Sequence, residues 1–156
     1  MKATHLSEPV LVVEDDPDSR DMLVHYLQFN GFNVHEAASG AAALGLASTL
    51  QPRVILMDLG MAGLDGLETT RRIRQNVNTK QAIIVAVTGR VFADDRNEAH
   101  RAGFDDFISK PFDVTTLPDY LDRLLGNTSH DAAPHTPTRS LPHLPSPTPY
   151  PKKRES

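Results

Sequence analysis

Short strand-like runs at residues 10–13, 32–35, 54–57, 82–87 and 106–108 alternate with longer segments in which apolar residues recur at helical spacing. The pattern predicts a βα unit repeated five times, an α/β fold built on a parallel sheet. Val10-Leu11-Val12-Val13 and Val54-Ile55-Leu56-Met57 are apolar throughout, without alternation. Strands of that kind are covered on both faces, so helices are expected on both sides of the sheet. The first helix begins at Pro17, a residue suited to a first helical turn. It sets Met22, Leu23, Tyr26, Leu27 and Phe29 largely on one face before Asn30-Gly31 ends it. Further helices are expected over about 40–50, 64–75, 92–101 and 114–125, the second stopping before Pro52 and the fifth at Gly126-Asn127. In the third, Leu67 and Ile73 are expected inward and Arg71, Arg72 and Arg74 largely outward, as a solvated face.

Parallel sheets place their ligand sites at the carboxyl ends of the strands. The residues there are chemically capable: Glu14-Asp15-Asp16 after the first run, Asp58 after the third, Thr88 after the fourth and Lys110 after the fifth. Two carboxylates about 4 Å apart repel by roughly 4 kcal/mol at an effective dielectric near 20, so Glu14, Asp15 and Asp58 together ask for a cation. Magnesium keeps several waters and needs only two or so carboxylates; Asp15 and Asp58 can serve directly and Glu14 through water. Acids after a strand can instead cap the next helix, the reading for Asp16 and Asp18. A carboxylate can attack phosphorus when positive charge and donors meet the equatorial oxygens. Asp58 is then the candidate phosphoacceptor, with Lys110 and Thr88 as phosphoryl-binding groups. A lysine before a proline or a threonine after a strand is commonly structural; their joint placement singles them out.

Composition narrows the classes. The 156 residues fit one domain plus a tail: a short extension over 1–7, a folded part over 8–126 and a tail over 127–156. Residues 1–126 carry 12 Lys and Arg against 18 Asp and Glu, a net of −6, while 127–156 carry 4 against 2, a net of +2. An acidic folded part argues against direct nucleic-acid binding. The chain has no cysteine, which excludes disulfides and thiolate metal sites, and no redox chemistry is indicated. No apolar stretch has signal-peptide or membrane-span length, so a cytoplasmic protein without membrane contact is expected. The tail holds Pro134, Pro137, Pro142, Pro145, Pro147, Pro149 and Pro151 among Ser, Thr and His, a composition expected to be disordered. The readings for it are a solvated extension, a docking segment with two P-x-x-P spans, a phosphorylation target at Thr136, Ser146 or Thr148, or, with Lys152-Lys153-Arg154 near its end, a weak anchor to an anionic surface. The seven histidines show no ligand-like spacing.

Four stretches, VLVVEDDP ending at Pro17, ILMD ending at Asp58, VTG over 87–89 and FDDFISKP ending at Pro111, resemble the receiver domain of bacterial two-component response regulators, over about 8–126. The resemblance implies a doubly wound, flavodoxin-like fold, five parallel strands in the order 2-1-3-4-5, with phosphorylation at Asp58. It implies Mg²⁺ held by Asp15, Asp58 and the carbonyl of Gly60, with Glu14 further out. It also implies a switch made by Thr88 and Phe107, and a cis bond at Pro111. Three departures stand out: Met61-Ala62 where the family usually has Met-Pro, a Phe107 without a hydroxyl, and Gly60 and Arg90 at positions that flank the phosphoryl. These bear on loop stiffness, partner contact and phosphoryl lifetime.

The expected function is a stand-alone receiver that accepts a phosphoryl group from a sensor histidine kinase or a histidine phosphotransfer protein. It would signal by protein contact through the face of the fourth helix, fifth strand and fifth helix, and catalyse only its own phosphorylation and dephosphorylation. One alternative is a phosphorelay intermediate that passes the phosphoryl group to a histidine phosphotransfer protein. A more remote one is a haloacid-dehalogenase-like phosphatase using the D-x-D of Asp16-Pro17-Asp18. A binding-only module that never takes phosphate is the third class.

Overall fold

The computed structural model describes residues 5–61, 66–89 and 93–128. Ala62, Leu64, Arg90, Phe92 and the tail from residue 129 lie outside the described residues. The elements in chain order are β1 (His5–Val13), α1 (Pro17–Phe29), β2 (Phe32–Ala37), α2 (Gly40–Leu50), β3 (Val54–Asp58), α3 (Gly66–Gln75), β4 (Ile83–Thr88), α4 (Ala93–Ala102), β5 (Asp106–Ser109), a 3₁₀ turn (Val114–Thr116) and α5 (Leu117–Thr128). All strand pairs are parallel and the sheet order is β2-β1-β3-β4-β5, a doubly wound, flavodoxin-like sheet.

The unbroken apolar runs divide by strand parity into two cores. Val10, Val12, Val54, Leu56, Val85 and Val87 face Leu23 and Leu27 of α1 and Leu121, Leu124 and Leu125 of α5. Leu11, Val13, Ile55, Met57, Ile84 and Ala86 face Ala43 and Ala47 of α2, Ile73 of α3 and Ala99 and Ala102 of α4. Every residue of β3 and β4 is buried. The alanines of α2 let that helix lie close on the sheet.

Local chemistry sets the helix starts. Asp16 caps α1 by accepting from the Ser19 amide at 3.0 Å, with Pro17 in the first turn. Ser39 caps α2 by accepting from the Ala42 amide at 3.1 Å. Gly31, at φ +92°, takes the left-handed conformation that follows α1.

Three expectations shift. In α1 the buried face is Leu23, Val24 and Leu27, while Met22 is 52% and Phe29 89% exposed. Apolar residues flank the true stripe on either side, and only packing on the sheet fixes its centre. The fifth helix does not start at Val114: Asp113 accepts from the amide and hydroxyl of Thr115 and holds a 3₁₀ turn, after which the α-helix runs from Leu117 past Gly126 to Thr128. Arg74 does not point to solvent as a free charge. Its guanidinium donates twice to the Gly103 carbonyl at 2.9 and 2.7 Å and to the carbonyls of Lys80 and Ala82 at 2.6 Å each, and it pairs with Asp105 at 2.8 Å. Asp105 in turn accepts from the Ile84 amide, and the neighbouring Asp106 accepts from the Tyr120 hydroxyl, whose pKa is raised by burial and by that carboxylate. Consecutive carboxylates thus tie the start of β5 to α3 on one side of the sheet and to α5 on the other.

Candidate functional site

Sheet register assembles the site. Val13 pairs with Met57, Asp58 with Val87, and Thr88 with Ser109. Each residue following or ending a strand is therefore set beside the next across four strands, and Glu14, Asp15, Asp58, Thr88 and Lys110 line one open cleft of about 740 Å³. Gly60, Met61 and Leu67 form part of its wall.

One carboxylate oxygen from each of Glu14, Asp15 and Asp58 lies within 4.8 Å of the other two. Glu14 and Asp58 are buried, and Asp15 is exposed. Asp58 Oδ1 accepts from the Gly60 amide at 2.9 Å, which leaves Oδ2 facing Lys110 Nζ at 3.7 Å. Lys110 also bonds Glu14 Oε1 at 3.3 Å. Burial, and next the Asp58 carboxylate, push the Glu14 carboxyl up to about 7, against the opposing pull of Lys110. Glu14 Oε2 is buried without a hydrogen-bond partner. Hard oxygen donors, crowded like charges and an orphaned buried oxygen fit a divalent cation of the Mg²⁺ type. Thr88 is buried at the end of β4. Phe107 is half-buried and packs on Phe104, ring centroids 6.3 Å apart, at the edge of the core beneath α2, α3 and α4. The Lys110–Pro111 bond is cis.

Three contributors carry no local signal in the sequence. Gly66, at the start of α3, packs so close that a Cβ would lie 2.8 Å from the Asp58 carbonyl oxygen and 2.8 Å from Leu59 Cδ2. Arg20 donates from Nη1 to the Glu14 carbonyl at 2.9 Å and stands 4.0 Å from Glu36, so it fixes the backbone beneath the acids. Glu98 of α4 forms part of the cleft wall. By contrast Gly60 is sterically unconstrained: a Cβ there would meet only Asp58 Oδ1, at 3.5 Å. The D-x-D of Asp16 and Asp18 does not form a second acidic site, since Asp16 is the α1 cap and Asp18 an exposed residue of the first turn.

A five-stranded parallel sheet with an acid cluster, a hydroxyl and a lysine at its carboxyl edge defines a class, and comparison with known proteins gives it a name. The family model described as "Response regulator receiver domain" matches residues 10–122, and the chain belongs to that family of two-component proteins. It is 36% identical over 128 residues to "Response regulator MprA" of Mycobacterium sp. (strain KMS), covering 82% of this chain and 55% of that protein. The chain thus spans about half the length of the first curated relatives it matches. Among solved structures it is similar to the chemotaxis protein CheY4 of Vibrio cholerae, with a TM-score of 0.72 and 30% identity over 78% of this chain and 99% of that one. It is also similar to the receiver domain of sensor histidine kinase PA1611 of Pseudomonas aeruginosa PAO1, a structure with a magnesium ion coordinated in the active site cleft. There the TM-score is 0.70 and the identity 33%, over 76% and 98% of the two chains. Among the described residues no helix is long and apolar enough to cross a membrane.

Proposed function

We propose that Asp58 is the phosphoryl acceptor of a receiver that signals by protein contact. The observation that carries this reading is the arrangement around the Asp58 carboxylate: a lysine ammonium 3.7 Å from Oδ2, a backbone amide holding Oδ1, and an oxygen from each of two further carboxylates within 4.8 Å of one of its oxygens. A free Asp58 oxygen forms the new bond to phosphorus while the donor's P–N bond to a histidine ring breaks. The electron pair leaves with the ring nitrogen, which takes up a proton. Lys110 and the Thr88 hydroxyl meet the phosphoryl oxygens, and Gly60 N–H keeps the carboxylate from rotating. Glu14, Asp15, Asp58 and the Gly60 carbonyl would hold Mg²⁺, as the magnesium-bearing cleft of the PA1611 receiver suggests by similarity. When bound, the ion supplies charge neutralisation for the acids and the phosphoryl oxygens.

Thr88 and Phe107 act as the switch, Pro111 holds the Lys110 loop, and the face of α4, β5 and α5 is the output surface for a downstream protein. The phosphoryl donor is a sensor histidine kinase or a histidine phosphotransfer protein, in the cytoplasm. We take 8–126 as the receiver. A phosphorelay intermediate that returns its phosphoryl group to histidine would use the same site.

The test is intact mass after incubation with a small phosphoryl donor and Mg²⁺. One added phosphoryl group, labile to hydroxylamine and absent from Asp58→Asn, is expected. The same modification in Asp58→Asn would overturn the assignment.

A further inference from the structure

The wall of the cleft carries five acids among the described residues, Glu14, Asp15, Asp16, Asp58 and Glu98, against one cation, Lys110. Four of these acids have work already. Glu14, Asp15 and Asp58 form the cation cluster, and Asp16 is committed to the α1 cap. Glu98 is left, and it comes from α4, across the cleft from β1. Its partner is Arg71 of α3, at 3.8 Å, too long for a hydrogen bond. Arg71 is already engaged by Glu68 at 3.3 Å, and Glu98 remains 57% exposed. A pair this loose and this wet neutralises only part of the Glu98 charge.

Phosphoryl donors are anions that must pass this wall to reach Asp58. We propose that Glu98 limits the rate at which anionic phosphoryl donors reach Asp58, and that Arg71 sets how much of the Glu98 charge the cleft feels; this rests on Asp58 being the acceptor. In the step concerned, an Asp58 oxygen bonds phosphorus as the donor's P–O or P–N bond breaks, and the leaving group carries away the electron pair. Glu98 takes no part in that exchange. It acts on the approach of the donor, so its influence depends on donor charge and on screening, which a purely structural residue would not show.

The experiment compares the full-length native chain, Glu98→Gln and Arg71→Gln at saturating Mg²⁺, with intact mass giving initial rates of phosphorylation. The donors are acetyl phosphate as a dianion and phosphoramidate as a monoanion, at ionic strengths of about 10 mM and about 1 M, where the Debye length falls from about 30 Å to about 3 Å. With acetyl phosphate at low salt, Glu98→Gln should be faster than native by about two- to fivefold, the size expected of one screened unit charge acting on a dianion, and Arg71→Gln should be slower. Both differences should shrink with phosphoramidate and vanish at high salt. Equal rates for native and Glu98→Gln at low salt, with the native protein modified at Asp58, would overturn the role of Glu98 and leave Asp58 as acceptor. A change that persists in about 1 M salt would assign Glu98 to packing and equally refute the proposal. Failure of native protein to take phosphoryl from either donor would withdraw both readings.

Discussion

Replacing Asp58 by Asn should stabilise the metal-free protein, and the gain should grow with pH. Asn retains an oxygen to accept from the Gly60 amide, so the substitution removes charge with little change in shape. Asp58 faces two carboxylates at up to 4.8 Å and one ammonium at 3.7 Å. At an effective dielectric near 20 these are two repulsions of about 3.5 kcal/mol each against an attraction of about 4.5 kcal/mol, and exposure of Asp15 weakens one repulsion, leaving a net gain of about 1 to 2 kcal/mol. That holds only while Glu14 is ionised. The folded state raises the Glu14 carboxyl from 4.5 to about 7, so stability from this group is complete below about pH 4.5 and is lost as the pH rises through about 7. Part of the raising comes from Asp58 itself, and the variant should lose less stability over the same window. Urea unfolding in EDTA at pH 5.5 and pH 8 measures this, with a small difference expected at the lower pH and the full gain at the higher. Added Mg²⁺ should narrow the gap at pH 8, since native protein gains about 1.4 kcal/mol at ten times its dissociation constant and the variant gains less. If Asp58→Asn proved less stable than native at pH 8 in EDTA, or if the gap did not change with pH, the reading of the acids as a strained, cation-seeking cluster would fail.

Arg74→Met keeps the aliphatic stem but strips the hydrogen bonds to Gly103, Lys80 and Ala82 and the pair with Asp105, and should cost about 2 to 4 kcal/mol in urea unfolding. Arg74→Lys should recover little, because a point charge cannot span those carbonyls; full recovery would show that charge alone suffices. Gly66→Ala places a Cβ 2.8 Å from the Asp58 carbonyl oxygen and should lower stability by about 1 to 3 kcal/mol and slow phosphorylation of Asp58, read by melting temperature and intact mass. A neutral outcome on both would mean that α3 shifts freely. Thr88→Ala should still accept phosphoryl at Asp58 yet lose most of the phosphorylation-dependent gain in partner affinity, a coupling of about 5- to 150-fold in native protein, measured by titration of a captured partner. Equal affinities of phosphorylated and unphosphorylated native protein would make it a phosphoryl carrier and not a switch.

Much of this molecule is legible in the chain itself because the signals are local. Continuous apolar runs state that strands are buried on both faces, Asp16-Pro17 and Ser39 start helices through their own side chains, and acids, Thr88 and Lys110 stand at or directly after the ends of strands whose common direction brings them to one edge. What the chain does not carry is any property that depends on which distant group arrives nearby. Arg74 looks like a surface charge until Gly103, 29 residues away, brings its carbonyl to it. Met22 and Phe29 belong by spacing to the apolar stripe of α1, and only contact with β1 and β2 selects Leu23, Val24 and Leu27 in their place. Gly66 is ordinary in sequence and becomes necessary because the backbone of Asp58 passes against it. The Lys110–Glu14 bond joins residues 96 apart, and the pKa of Glu14 follows from that assembly and its burial. Residue type and periodicity determine which elements form and what chemistry each can offer, whereas sheet register and helix packing decide distances, dielectric and partners, because those energies fall off within a few ångströms and exist only once the chain has closed on itself.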